Sequence, residues 1–282
     1  MEMERAVADL VERLERRFYG KYRGIVEDNA DPEHLGRLRL RVPSLLGAEL
    51  VTGWALACVP YGGASGQGQL FIPDRGAGVW VEFEEGDLEF PVWVGTFWSK
   101  PQGDSELPRP NDPDGTAQSQ AQDPPTRKII KTKKGHTLQF EDKDDEELVL
   151  LHEASNRHVI RMDKDGITIS DGTNGHEVTM TASGMTLTDG ANSGNTVVME
   201  GGGVSIQDKN GHKVVLGTGG VQIGSDGATE PFVLGTQFLT KVASFLTALS
   251  THTHVGNMGA PTSPPTAPLN LDVPLSTKHR TE

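Results

Sequence analysis

The sequence is poor in cysteine, in aromatic residues and in long apolar runs, and each shortage excludes a class of protein. Its single cysteine, Cys58, excludes an intrachain disulfide framework, and between Ala57 and Val59 we expect it to be a small buried residue. Hydrophobic residues make up 35% of the chain and aromatic residues 6%, which is little for one large core. No segment reaches the ~18 consecutive apolar residues that a membrane-spanning helix needs.

Positive charge is scarce as well. The chain has 26 Lys and Arg against 39 Asp and Glu, a formal net charge of −13. This balance disfavours nucleic acid as a partner, because phosphate binding needs an excess of Lys and Arg. Residues 1–18 alternate acidic and basic side chains and lack the apolar stretch of a signal peptide, so we expect synthesis and assembly in the cytoplasm.

The most informative feature that is present is a repeat between residues 157 and 226. Its first half is HVIRM, HEVTM, NTVVM and HKVVL, and its second half is GITIS, GMTLT, GVSIQ and GVQIG. The glycines that open the second halves, Gly166, Gly184, Gly203 and Gly220, are 18, 19 and 17 residues apart. Repeats of about 20 residues mark stacked architectures in which one unit cannot bury its own apolar face. The repeat therefore predicts a rod, either a single-chain solenoid or several chains wound together.

The rest of the chain divides by pattern into further segments, and the predicted fold class is mainly β. We predict an N-terminal helix (1–18), an OB-fold domain (19–98), a polar linker or extended strap (99–127), the rod (128–230), a helix (231–250) and a Pro-rich tip or tail (251–282). The N-terminal helix is predicted to have one apolar face, which comprises Val7, Leu10, Val11, Leu14 and Phe18. In the OB-fold segment GRLRLRV, we expect Leu38, Leu40 and Val42 to face the core and Arg37, Arg39 and Arg41 to face outward.

Two functions other than a structural one are open on the residues alone. A trimeric β-helical tailspike that binds a receptor or hydrolyses glycans needs carboxylates about 5–9.5 Å apart. Its candidates, Asp163, Asp165, Asp171 and Asp189, have the spacing of turn residues. An OB-fold binder of single-stranded nucleic acid or sugar has the three arginines above as its only support. We also expect turn positions, without a metal or catalytic role, for His136, His158, His176 and His212, and a solvated turn for EDKDDEE at 141–147.

Two segments resemble a known family. Residues 19–98 include YRGIVEDNADPEHLGRLRLRVPSLLG, WALACVPYGG and GAGVWVEFEEGDLEFPVWVGTFW. They resemble the OB-fold domain of contractile-tail spike proteins, which occur in phage baseplates, in type VI secretion as valine–glycine repeat proteins, and in phage-tail-like extracellular injection particles. The C-terminal phrase FLTALSTHTHVGNMGAPTSPP is similar to the end of such spikes. Only about 20 residues precede the OB region, so we expect the hub to be a separate protein.

This resemblance implies a function and a set of partners. It implies a homotrimer with an intertwined β-helix, whose backbone hydrogen bonds run between the chains. The apolar side chains buried between them would be Val159, Val178, Val197 and Val214 with Ile167, Met185, Val204 and Val221. The protein would be the non-enzymatic central spike of a contractile injection machine. It would be seated on the baseplate hub protein and inner tube, would contact the target membrane transiently, and would end up in a virion-like or extracellular particle. A PAAR-type tip protein is a further candidate partner.

His252 and His254 form an H-x-H pair near the C-terminus, and on an extended chain such residues point the same way. Two imidazoles from each of three chains give six nitrogens. An octahedral set of this kind argues against structural zinc, which is usually tetrahedral. The resemblance implies that the pair holds iron, one ion per trimer, inside the tip, and the alternative is a cap without metal.

Overall fold

Strands account for most of the regular structure, and the predicted mainly β fold is confirmed. The computed structural model describes residues 3–7, 11, 17–120, 123–190, 194–225 and 235–264. The chain forms two compact units, Met1–Ser155 and Asn156–Glu282. Within the described ranges, no helix is long and apolar enough to cross a bilayer.

The first unit begins with a helical segment that does not cover the whole predicted range 1–18. Residues 3–7 and 11 are helical, whereas Arg17 and Phe18 are not. Phe18 instead packs against the edge of the following domain, where its ring lies 6.5 Å from that of Tyr22 and its N–H donates to the Gly86 carbonyl (2.8 Å). The predicted apolar positions Leu10 and Leu14 lie outside the described residues.

Five strands follow: β1 Tyr22–Asp28, β2 Arg39–Arg41, β3 Leu56–Ala57, β4 Gly78–Phe83 and β5 Pro91–Thr96. They form a curled OB-like sheet in the order β2-β1-β4-β5-β3. Neighbouring strands are antiparallel, except that β3 runs parallel to β5. A short helix, Pro43–Leu46, follows β2, and single 3-10 turns lie at Glu84–Gly86 and Pro101–Gly103.

The core of this domain comes from strict alternation along its strands. Leu38, Leu40 and Val42 are fully buried as predicted, and Arg39 between them is exposed, but Arg37 and Arg41 are half-buried in ion pairs. The rest of the cluster is Val26, Ala55, Val79, Val81, Phe83 and Trp93. Cys58 lies just beyond the end of β3 and is exposed, so the prediction of a buried thiol is wrong. The chain leaves the sheet there, and the Cys58 N–H makes one last bond to the Trp93 carbonyl (2.9 Å).

Residues 109–118 form a strap that turns back on itself between Asn111 and Ala117. Hydrogen bonds hold it against the strands Arg127–Lys131 (β6), Thr137–Glu141 (β7) and Leu148–Glu153 (β8). The Asn111 N–H donates to Gln139 Oε1 (2.8 Å), and Gln139 Nε2 donates back to the Asn111 carbonyl (2.9 Å). Asn111 Nδ2 lies 3.0 Å from His152 Nδ1, while Lys131 Nζ donates to Asn111 Oδ1 (2.8 Å). Because Asn111, Gln139 and His152 are buried, these polar groups need partners inside the protein. Paired polar groups therefore hold the strap in place.

The three strands below the strap form an antiparallel meander: β6 Arg127–Lys131, β7 Thr137–Glu141 and β8 Leu148–Glu153. The prediction of a solvated turn over 141–147 is wrong at its first residue, because Glu141 closes β7 and is buried against Thr126 and Arg127. The other residues of the segment, 142–147, are exposed as predicted.

The second unit carries the repeat as eight antiparallel strands, each paired with the next along the chain. The prediction that backbone hydrogen bonds run between chains is wrong for these ladders, since tight turns pair each strand with its own neighbour. The strands are β9 His158–Asp163, β10 Gly166–Ser170, β11 Glu177–Thr181, β12 Gly184–Asp189, β13 Asn195–Glu200, β14 Gly203–Gln207, β15 Lys213–Gly217 and β16 Gly220–Gly224.

The repeated glycine has a steric cause at three of its four positions. Gly166, Gly184 and Gly203 have φ of +139°, +155° and +134°, and each lies against a carbonyl of the following strand. A Cβ at these positions would lie 1.9–2.0 Å from that oxygen. No side chain fits, and the repeat keeps glycine wherever a further strand follows.

A helix, Gly235–Thr251, follows the sheet in the sequence and agrees with the described part of the predicted helix 231–250. The chain after it is irregular, with one bridge between Val255 and Pro261. The predicted tip or tail is described only as far as residue 264, and positions 231–234 and 265–282 lie outside the described residues.

Candidate functional site

The register of the eight repeat strands places apolar side chains on one face of the sheet. The first strand of each hairpin contributes the third and fifth residues of its phrase, and the second strand contributes the second and fourth. Cross-strand pairs such as Val178↔Leu187 and Val197↔Ile206 join them into two continuous rows. Two residues from each of eight strands make sixteen, which we call the apolar face. They are Ile160, Met162, Ile167, Ile169, Val178, Met180, Met185, Leu187, Val197, Met199, Val204, Ile206, Val214, Leu216, Val221 and Ile223.

In the part of the chain that the structure describes, no other segment buries the apolar face. None of its sixteen side chains is buried, and Ile206 and Ile223 are exposed by 49% and 55%. With strands about 4.8 Å apart, the face extends over about 34 Å. Contiguous apolar surfaces of this size on soluble proteins mark contacts with other macromolecules. The apolar face is therefore the leading candidate for a functional surface.

The opposite face of the same strands is mostly polar. It presents threonine or serine in five of the eight strands, with Thr168 opposite Thr179 and Thr179 opposite Thr186. Charged side chains such as Glu177 and Lys213 lie among them. The sheet thus has one apolar and one hydrophilic side, a division that a second layer of protein on the apolar side explains.

One residue of the predicted interior set is misplaced. Val178, Val197, Val214, Ile167, Met185, Val204 and Val221 all lie on the apolar face, but Val159 pairs with Ser170 on the other side. Ile160 takes the place that was assigned to Val159. A strand alternates with period two, so an error of one residue in aligning HVIRM with HEVTM moves a side chain to the opposite face.

The histidines and aspartates of the repeat meet at the ends of the hairpins. His158 Nδ1 lies 3.2 Å from Asp171 Oδ1, and His176 Nδ1 lies 3.0 Å from Asp189 Oδ1. The Asn174 side chain, with backbone N–H groups of Asn174 and Thr173, lowers the pKa of Asp171 to about 2. These contacts give the aspartates a role in capping turns. The described residues include no group of three or more His, Cys, Asp or Glu side chains positioned to hold a metal.

Acidic partners neutralise most of the arginine-rich strand of the OB-like domain. Arg37 Nη2 lies 2.7 Å from Asp31 Oδ1 and 3.2 Å from Glu33, and Arg41 Nε lies 2.8 Å from Glu27. The Arg37 guanidinium, helped by three backbone N–H donors, holds the pKa of Asp31 well below its usual range. This face therefore offers few free cations for phosphate groups.

The H-x-H pair follows the C-terminal helix directly. The His252 and His254 rings have centroids 5.0 Å apart and planes at 81°. Nδ1 of His252 contacts the Leu249 carbonyl, which leaves Nε2 as its free ring nitrogen, and the His254 N–H donates to Thr262 Oγ1 (2.9 Å).

This geometry can be compared with a metal site. A metal-binding histidine usually bonds its second ring nitrogen to a carbonyl or carboxylate, and the contact of His252 with the Leu249 carbonyl is of that kind. One chain supplies two nitrogens, so a complete site needs other copies.

The chain thus combines an OB-like domain with a sheet that has a long apolar face. Two family models match the chain in these regions. Residues 22–98 match the type VI secretion system/phage-baseplate injector OB domain, and residues 128–192 match the phage baseplate V C-terminal trimerisation domain. The chain belongs to the contractile-tail spike family, and its role is that of a structural baseplate spike protein. No curated protein sequence matches it.

Proposed function

We propose that this protein is the central spike of a contractile injection machine and that it acts there as a homotrimer that punctures the target envelope. The unpartnered apolar face carries this proposal. Three copies wound about one axis turn their apolar faces inward and their threonine-rich faces to solvent. The matched trimerisation domain includes the first four of the eight repeat strands and so supports a trimer.

The mechanical role follows from how such an object responds to load. Each ladder is continuous within its chain, and burial between the chains would add apolar contact along the whole sheet. Local opening would expose that surface, so the shaft resists bending and unfolding. We propose that the N-terminal segment and the OB-like domain sit on the hub protein at the end of the inner tube. Sheath contraction then drives the shaft into the target membrane, and a PAAR-type protein is a candidate for the extreme tip.

We also propose that His252 and His254 of three chains hold one iron ion. Six imidazole nitrogens suit iron in an octahedral set. Bound there, the ion would link the three C-terminal segments through its coordination bonds. The segments would then resist separation under load. His252 would supply its free Nε2, while the contact between Nδ1 and the Leu249 carbonyl fixes the orientation of the ring.

Native mass spectrometry of the full-length protein tests the trimer with two matched variants. Val197→Asp puts a charge on the apolar face, and Val198→Asp puts the same charge on the opposite face of the same strand. We expect trimers for the wild type and Val198→Asp and loss of the trimer for Val197→Asp. A monomeric wild type would overturn the proposal.

The same spectra test the metal. We expect one additional iron-sized mass per wild-type trimer and none in His252→Ala, and a metal-free wild-type trimer would refute the site while leaving the spike. Immunogold labelling of assembled particles should place the protein at the end of the inner tube. Turnover of surface glycans that is lost in Asp171→Asn would instead favour a tailspike.

A further inference from the structure

The C-terminal helix, Gly235–Thr251, has an apolar stripe that no other described residue of its chain buries. It spans 17 residues, and none of them is buried. Phe238 and Phe245 are exposed by 51% and 64%. A lone helix of this length is marginal in water, since most helical stability in proteins comes from packing of an apolar face. The stripe therefore needs a partner.

The spacing within the stripe specifies the kind of partner. Phe238, Val242, Phe245 and Leu249 follow one another at intervals of four, three and four residues. These are the alternating d and a positions of a heptad repeat, the pattern of helices that pack on one another in a coiled coil. Leu239 and Leu246 both fall at position e, beside the stripe, and widen it.

The other side of the helix does not compete for that contact. The hydroxyls of Thr240, Ser244 and Thr247 donate to carbonyls four residues earlier, at 2.8–2.9 Å. Their polar groups are satisfied within the helix. Lys241 is the single charged residue of the helix and lies at position g, outside the a and d positions.

The partner that fits is the same helix from the other copies. A matched trimerisation domain and the apolar face lie before the helix in the same chain. Once three chains are joined there, their helices are held at high effective concentration and run in the same direction. Three identical helices with one a/d stripe each then bury their phenylalanines against one another.

The heptad register also reaches the first histidine. Counting on from Leu249 at position a, the next d position is residue 252. We propose that Gly235–Thr251 forms a parallel three-stranded coiled coil with the same helix of two other copies, and that His252 of all three chains occupies its next core layer. The coiled coil is thus a positioning element that brings three imidazoles to the axis. This inference rests on the proposed trimer.

Single cysteines in a Cys58→Ser background test the register. Phe245→Cys and His252→Cys place a thiol at d, whereas Thr247→Cys and Thr251→Cys place it at f and c, away from the axis. Disulfides need Cα atoms within about 7 Å. Under mild oxidation of the full-length protein, we expect the two d variants to form covalent dimers at least tenfold faster than the two controls.

The outcomes separate this inference from the proposed function. Native mass spectrometry of the reduced variants reports the trimer independently of the disulfide. A monomer there overturns the trimer and the coiled coil together. A trimer in which all four variants cross-link at similar rates overturns the coiled coil alone. Rapid cross-linking at 245 with none at 252 overturns the extension of the register to His252.

Discussion

Replacing Gly203 by alanine tests whether the repeated glycine is required by packing of the next strand. A Cβ on Gly203 would lie 1.9 Å from the Leu216 carbonyl oxygen, and contacts under 3.0 Å are essentially never seen. The two strands must therefore separate locally by at least about 1.1 Å. That shift falls where Gly203 pairs with Gly217 and Val204 pairs with Leu216.

Gly220 is the matched control, because it opens the last described strand of the sheet and no described strand lies beyond it. Its φ is +109°, so alanine is strained there as well, but a Cβ meets nothing within 4 Å. Backbone strain costs each variant about 1–3 kcal/mol. Gly203→Ala also loses one or two ladder hydrogen bonds at about 0.5–1.5 kcal/mol each. We expect Gly203→Ala to lower the free energy of unfolding by about 2 kcal/mol more than Gly220→Ala.

Guanidinium denaturation, followed by circular dichroism at equal protein concentration, measures this difference. The concentration is fixed because the stability of an oligomer depends on it. Equal losses in the two variants would refute the steric explanation. The positive φ of the repeated glycines would then be sufficient to explain why the repeat has glycine there. A larger loss in Gly220→Ala would contradict the strand order on which the argument depends.

Three further predictions concern the two units. Leu40→Ala empties a fully buried site and should cost about 2–5 kcal/mol, while Leu50→Ala, at a position exposed by 62%, should cost little in the same denaturation assay. Burial lowers the pKa of His152, so the folded protein favours the neutral ring. Stability should be full above about pH 6.5 and fall as the pH drops below it, and His152→Asn should remove this slope from pH-dependent denaturation. The pKa of Asp171 is also lowered, to about 2 from an ordinary 3.8, but for an acid a lowered pKa means that the folded protein favours the charged form. Its contribution should be present above pH 3.8 and be lost toward pH 2, and an unchanged acid profile in Asp171→Asn would contradict it.

Local patterns in the sequence were enough to predict the strands of both units. The alternation in GRLRLRV identified the buried Leu38 and Leu40, and the repeat identified seven of the eight predicted interior positions. Period-two alternation depends only on neighbouring residues, so it can be recognised without knowledge of the fold. The prediction for Val159 was wrong by one residue along its strand, and the prediction for Glu141 was wrong because that side chain is buried. An offset of one residue reverses a strand face. Whether the Glu141 carboxylate is buried depends on Thr126 and Arg127, which lie 15 and 14 residues before it and are not part of the acidic run.

The sequence by itself determined the mainly β class, the repeat and the H-x-H pair, because each is written in residue spacing. Only the tertiary structure decided that the strands pair within one chain as hairpins, that Cys58 is exposed, and that sixteen apolar side chains share one open face. Those facts depend on register and on which elements meet. Hydrogen bonds between strands, and contacts such as that of Gly203 with Leu216, determine the register and which elements meet. These interactions involve backbone groups or residues separated in the sequence, so the spacing of side chains does not reveal them.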